Sequence, residues 1–349
     1  FFFHSLCNKH ADFLMELRWS SFPCWQPSSL RLVTLLSLTV LGSHEWLAVQ
    51  PVVIETKGNN AFKVLRKLGT RQGRRKVGRF LAEGETFLRM RPRSVFLRRS
   101  RFEEEGLAGL HFAASEDVAP ARPVRPLLWG GGLPYDAGAA EFEPSAAVLR
   151  NELFDQISSQ EKSQGVLCVF GMPQEEAPSE TTDSRVVVLD GVEDPNNLGV
   201  ILRTMEAFGS RTLVVTKGTV DVYNEKVVRC SMGAVVRQRV QVHEVLPSEL
   251  MTLLPKYRLF ATDLSVDRPA VPSWRLGEYL SGRDAFVFGN EARGVSEEVL
   301  ALAHERLRIP MAPGIDSLNV GVSVGVVLHE ALGAAVQAAR TRKAKEKKK

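Results

Sequence analysis

The 349-residue chain is poor in the residues that mark metal, redox and disulfide chemistry. Its four cysteines, Cys7, Cys24, Cys168 and Cys230, show no metal-ligand or redox spacing. That excludes a disulfide framework and reads as free thiols in a reducing compartment. The seven histidines include no pair at ligand spacing, so no metal site is expected. No strand-like segment is followed by G-x-G-x-x-G with an acid about twenty residues on, which argues against a dinucleotide-binding oxidoreductase. Long apolar runs are also missing. "SSLRLVTLLSLTVLG", Ser28–Gly42, is shorter than a membrane span and holds an arginine and several hydroxyls, so no membrane partner is expected. Acids are scarce before Glu45, and a degraded targeting segment is one reading of that stretch. The chain opens without a methionine, as a fragment or an extended gene model would, and residues 1–50 stay unassigned. Compartment stays open between cytoplasm, mitochondrion and plastid.

What is present is an ordinary globular composition, 44% hydrophobic and 24% charged, with a basic balance of 45 Lys+Arg against 40 Asp+Glu. The bases are clustered. From Lys63 to Arg79 the run "KVLRKLGTRQGRRKVGR" holds eight basic residues and no acid; Arg71, Arg74, Arg75, Lys76 and Arg79 belong to it. The chain ends "RTRKAKEKKK". One such run is as readily a solvated helix face or tail. Two at opposite ends, with the acids between them, point to a polyanionic partner.

The organisation reads as two domains. In residues 51–173, "AFKVLRKL" spaces Phe62, Leu65 and Leu68 as one helix face, and "FLAEG" and "GVLCVFGMP" read as strands. Within them residues 103–138, rich in Ala, Pro and Gly, read as a loop insertion. Residues 174–184, "QEEAPSETTDS", have the polar, acidic and proline-bearing character of a linker. In residues 185–338 strand-like "RVVVLD", "TLVVT", "YRLFATD" and "DAFVFG" alternate with helix-like "LGVILRTMEAF", "DVYNEKVVRC" and "SEEVLALAH". That alternation predicts an α/β fold with a parallel sheet and helices on both faces. "NVGVSVGVVLHEALGAAVQAAR" predicts one long helix, thin at its start, with an N-cap at Asp316 and Ser317. Residues 339–349 read as a basic tail.

Three segments of this second domain share one character, a strand followed by a loop of glycine, amide and carboxylate: "DPNNLGVILRT", "FVFGNEARGVS" and "RIPMAPGIDSLNVGVSVG". Singly, each reads as a turn. In order on one sheet, they resemble the three motifs of the SpoU/TrmH family of RNA 2′-O-ribose methyltransferases, of the SPOUT superfamily. "VVRCSMGAVVR" resembles a further stretch of that family, and residues 51–173 resemble its small α/β RNA-binding domain, similar to a ribosomal protein.

The resemblance implies a SPOUT-type parallel sheet with a carboxyl-terminal trefoil knot, a homodimer, and S-adenosyl-L-methionine as cofactor. By positional match Gly289, Ile309 and Leu318 would bind that cofactor. Gly289 would let backbone approach it, while Ile309 and Leu318 would offer apolar walls with backbone N–H and C=O groups. The implied catalytic set is Asn197, Arg203, Glu291, Ser317 and Asn319. Methyl transfer from a sulfonium needs no metal and no covalent nucleophile. It needs an aligned ribose hydroxyl and help in losing its proton. A guanidinium is an awkward base, so Arg203 is expected to clamp the adjacent phosphate and stabilise the developing alkoxide, with general-base help left open. Glu291 would hold Arg203 or Asn197. Ribosomal RNA is the expected substrate and transfer RNA the alternative; a catalytically silent RNA-binding or ribosome-assembly protein is the reading from another class.

Overall fold

The computed structural model describes residues 51–90, 92–105, 125–126, 145–173, 184–237, 240–265 and 267–346. The extension 1–50, nearly all of the 103–138 insertion and the segment 174–184 apart from Ser184 lie outside the described residues.

The first sheet holds six strands: β1 (Val52–Ile54), β2 (Arg79–Glu83), β3 (Ser94–Arg98), β4 (Arg125–Pro126), β5 (Ser145–Leu149) and β6 (Val166–Gly171). Their order is β1-β5-β3-β6-β2, with β4 paired to β5. Helix α1 (Asn60–Leu68) starts where the Asn59 side chain accepts the Ala61 N–H at 2.8 Å, and it buries Phe62, Leu65 and Leu68 as the spacing predicts. Helix α2 (Arg71–Val77) is capped by Thr70 and stopped at Gly78, whose φ of 68° places it in the left-handed region.

The second sheet holds β7 (Arg185–Asp190), β8 (Thr212–Thr216), β9 (Gln241–Val245), β10 (Arg258–Thr262), β11 (Val271–Pro272), β12 (Asp284–Gly289) and β13 (Glu305–Arg308). It runs β11-β13-β10-β12-β7-β8-β9, every pair parallel. β7 lies between β12 and β8, which is why Val186 to Leu189 are buried without alternation. The four strands expected by eye are β7, β8, β10 and β12; the short or polar β9, β11 and β13 escape that reading.

Helix α3 (Pro195–Phe208) follows β7, with Asp194 as N-cap and Pro195 in its first turn. Helix α4 (Glu225–Cys230) is shorter than "DVYNEKVVRC", because Asn224 caps it and Asp221 to Asn224 form the preceding turn. Helix α5 (Val320–Glu346) is the long helix expected, reaching into the basic stretch at the chain's end. Its N-cap is not Asp316 or Ser317. Asn319 takes that place, its Oδ1 accepting the Gly321 N–H at 2.9 Å, so the chain reaches helical geometry two residues later than expected. By length and composition Val320–Thr341 could span a membrane. Burial of Val324, Val327, Leu328 and Ala331 in the core accounts for its apolar character.

The described residues, all from Pro51 onward, belong to one compact unit. One apolar cluster joins the two domains, with Phe80 and Phe170 of the first sheet packed with Val227 of α4 and with Tyr223 of the turn before it.

Candidate active site

The loops after β7, β12 and β13 meet at the carboxyl ends of these strands, the usual place for ligand groups in a parallel sheet. Asp190 and Gly289 end β7 and β12 side by side in register. Asp190 accepts the Thr216 hydroxyl at 2.6 Å and the Ser296 N–H at 2.8 Å, anchoring the second loop to the first strand.

Gly289 is fixed by sterics. A Cβ there would lie 2.0 Å from the carbonyl carbon of Gly294 and 2.1 Å from the Val295 nitrogen. Its missing side chain makes room for the protein's own backbone, where residue 294 folds back to pair with Asn290. Asn290, which sequence reasoning passed over, holds the same turn. Its Nδ2 donates to the Gly191 carbonyl at 2.7 Å, and its Oδ1 accepts the Ala292 N–H at 3.0 Å.

Three of the predicted catalytic residues form one hydrogen-bonded chain. Asn319 Nδ2 donates to Asn197 Oδ1 at 2.8 Å, and Asn197 Nδ2 donates to Glu291 Oε1, also at 2.8 Å. Each comes from a different motif: Asn197 from the first turn of α3, Glu291 from the loop after β12 and Asn319 from the end of the loop before α5. Glu291 also accepts long hydrogen bonds, 3.4 Å each, from the Glu193 and Asp194 N–H groups. Burial raises the Glu291 pKa, but the hydrogen bond from Asn197 and those from the backbone outweigh it and hold the carboxyl below its usual range. Glu291 thus holds Asn197, and not Arg203.

Arg203 lies on α3, exposed and without a hydrogen-bond or ion-pair partner among the described residues. It lines a groove of about 730 Å³ between α3 and α5, with Val200, Thr204, Cys230, Gly321 and His329 among its walls. The groove is narrow where Gly321 meets Val200: a Cβ at Gly321 would come within 2.9 Å of it. Gly289, Ile309 and Leu318 do not line this groove. Ile309 packs partly against the core. Ser317 and Leu318 are exposed in the loop before α5. That loop, residues 310–319, forms one backbone–backbone hydrogen bond among its own members, from the Ile315 N–H to the Ala312 carbonyl.

The basic run behaves differently from expectation. Arg74 is buried, donating to the Leu68 carbonyl at 2.8 Å and to Asp221 beyond β8. Arg79 is buried as well. Arg71 and Arg75 are exposed, but both pair with Glu244 of β9. Of the five predicted RNA-binding residues, Lys76 alone is both exposed and without such a partner among the described residues. The reason is topological: folding brings Asp221 and Glu244 of the second domain within reach of α2, and these acids take up its arginines. On α1, by contrast, Lys63, Arg66 and Lys67 are exposed and have no such partner among the described residues.

The SpoU rRNA Methylase family matches over residues 184–329, which contain all three loops. Over these residues the chain is similar to that family. The 23S rRNA (guanosine(2553)-2′-O)-methyltransferase RlmP of Bacillus subtilis is 27% identical over 283 residues, covering 80% of this chain and 99% of its own. A solved TrmH-family RNA methyltransferase structure from Porphyromonas gingivalis is 26% identical, with a TM-score of 0.56, covering 78% of this chain and 96% of that one. The SpoU methyltransferase AviRb of Streptomyces viridochromogenes, solved in complex with AdoMet, shares the fold at a TM-score of 0.60 and 21% identity over 80% of this chain and 98% of its own. The SpoU match ends inside α5, at residue 329, and begins at Ser184, just ahead of β7.

Proposed function

We propose that this chain is a SpoU-family enzyme that methylates a ribose 2′-hydroxyl in RNA, with S-adenosyl-L-methionine as donor. The observation that carries the reading is the amide–carboxylate chain Asn319–Asn197–Glu291, which ties the three motif loops together beside a free arginine. The residues present fit the donor. The loop 310–319 leaves most of its backbone N–H and C=O groups without backbone partners and exposes Ile315 and Leu318, a combination suited to the edge and face of an adenine. Gly289 and Ile309 would complete that pocket. When bound, the donor supplies a methyl group activated by its sulfonium.

The chain's own residues do the rest. Glu291 fixes the Asn197 amide, which in turn fixes Asn319 at the head of α5. With both amides locked, the polar groups that meet the ribose need not reorganise during transfer. Arg203, without a carboxylate partner among the described residues, binds the phosphate beside the target ribose and stabilises the oxygen as its proton leaves. Ser317, exposed two residues before Asn319, would contact the nucleotide.

Three finer features belong to the same reading. The substrate is ribosomal RNA, consistent with the named target of the Bacillus subtilis relative. The carboxyl-terminal segment forms a trefoil knot. β13 lies between β10 and β11, so the chain must cross the ends of β10 and β12 to bring α5 against α3. The active form is a homodimer built on α3 and α5, where Val200 and Val322 stand exposed beside the groove. Docking of the RNA falls to Lys63, Arg66, Lys67 and Lys76.

The test is Arg203→Ala in a single-turnover methylation assay on ribosomal RNA. Donor binding should survive and RNA affinity change little, while the rate falls by about 10²–10³. A rate equal to the parent's would make Arg203 a surface residue. An equal loss of RNA affinity and rate would make it a docking residue.

A further inference from the structure

We propose that a second RNA contact lies at the far end of α5, where Trp274 stacks on an unpaired base and the basic end of the helix meets the flanking phosphates. The inference rests on the RNA methylation reading and names a surface which that reading does not use. Trp274 is 65% exposed, an indole left largely in water at the head of the 3₁₀ turn Ser273–Glu278. The turn itself is held firmly. Ser273 and Leu276 are buried, and Gly277 sits so close to α5 that a Cβ there would lie 3.0 Å from that of Ala334. A groove of about 500 Å³ opens between this turn and α5, with Trp274 on one side and Ala334, Ala338 and Thr341 on the other. One aromatic facing small side chains leaves a slot for a flat ring.

Charge selects the occupant. From Gln337 to its end at Glu346, α5 carries the four basic residues Arg340, Arg342, Lys343 and Lys345 against the single acid Glu346. At the groove's rim Arg275 and Glu278 neutralise each other at 2.5 Å. A second copy of the chain would bring like charge to this end of the helix, and a neutral apolar partner would draw nothing from it. A polyanion with exposed bases uses both features. The groove lies 15 to 22 residues beyond Asn319, roughly 20–30 Å along the helix. A flanking loop of the same RNA can therefore occupy it while the target ribose sits at Asn197.

The test uses the full chain and a fluorescently labelled oligouridine of about 12 nucleotides. Trp274→Ala should weaken binding by about tenfold, and Trp274→Phe should keep most of the affinity. Bound oligouridine should quench tryptophan fluorescence in the parent, and that component should vanish in Trp274→Phe. Donor affinity and thermal midpoint should match the parent in both variants. The proposal is overturned if Trp274→Ala binds oligouridine like the parent, or if it changes the sedimentation of the chain, which would make the groove a contact between copies. If the parent shows the quench but methylates no RNA, the contact stands and the methylation reading fails. If the parent methylates RNA and Trp274→Ala binds like it, the reading stands and the contact fails.

Discussion

Glu291 meets two opposing influences: partial burial disfavours its charge, while Asn197 and two backbone N–H groups favour it. The second prevails, so its folded pKa lies below that of the unfolded chain. A carboxylate of this kind contributes stability above its unfolded pKa, and the contribution disappears as pH falls through the folded pKa. Glu291→Gln keeps the shape but replaces an acceptor oxygen with a donor. At pH 7 it should slow single turnover by about tenfold, and the gap to the parent should close as the pH falls through the depressed pKa of the parent's carboxyl. A pH–rate profile of both proteins checks this, and a gap that is constant down to acid pH would show that the carboxylate charge is not what orders Asn197.

Among the elements, α5 depends on one cap. Asn319 both closes the helix's first turn and reaches Asn197, whereas Ser317 forms no hydrogen bond among the described residues. Asn319→Ala should cost about 1 kcal/mol of stability, with Ser317→Ala close to neutral. Thermal or urea unfolding distinguishes them, and the reverse ranking would restore the cap that local sequence suggested. The packing of α3 on α4 is tighter still. A Cβ on Gly199 would come within 2.4 Å of the Cys230 Cβ and 2.9 Å of its backbone carbonyl carbon. Gly199→Ala should therefore cost about 1–3 kcal/mol through overpacking, although alanine is the better helix former, and a stabilised variant in urea unfolding would mean that the two helices separate freely.

For the whole molecule, the contact between the two sheets is electrostatic as well as apolar. Buried Arg74 pairs with Asp221, and Arg74→Ala should destabilise the chain by about 3 kcal/mol by leaving Asp221 without its charge partner, while Lys76→Ala should change little. Equal effects in urea unfolding would contradict the pinning role of Arg74. Glu225 lies across the same junction. Burial raises its pKa, Glu83 adds to the shift, and Ser159, Arg74 and Arg229 oppose it. A carboxyl with a raised folded pKa stabilises most below its unfolded pKa, and that stability is lost as pH rises through the folded value. Glu225→Gln should therefore raise the thermal midpoint at pH 7–8, with the gain fading towards about pH 4. A gain independent of pH would point to packing rather than charge.

The β-branched run "RVVVLD", the helix face of Phe62, Leu65 and Leu68, and the order of the three glycine-amide loops were legible in the sequence, because periodicity and turn chemistry are local. The grouping of Asn197, Glu291 and Asn319 was implied by the resemblance to the SpoU/TrmH motifs, and it fits loops that leave a parallel sheet on the same side. Tertiary structure alone decided which atoms meet. It made Asn197 the partner of Glu291, left Arg203 free, and required Gly289 for a fold-back of the chain on itself. It also divided a uniform basic run into buried pins and exposed cations. Charge is written along the chain, but whether a cation is free depends on acids that folding brings from 147 residues away.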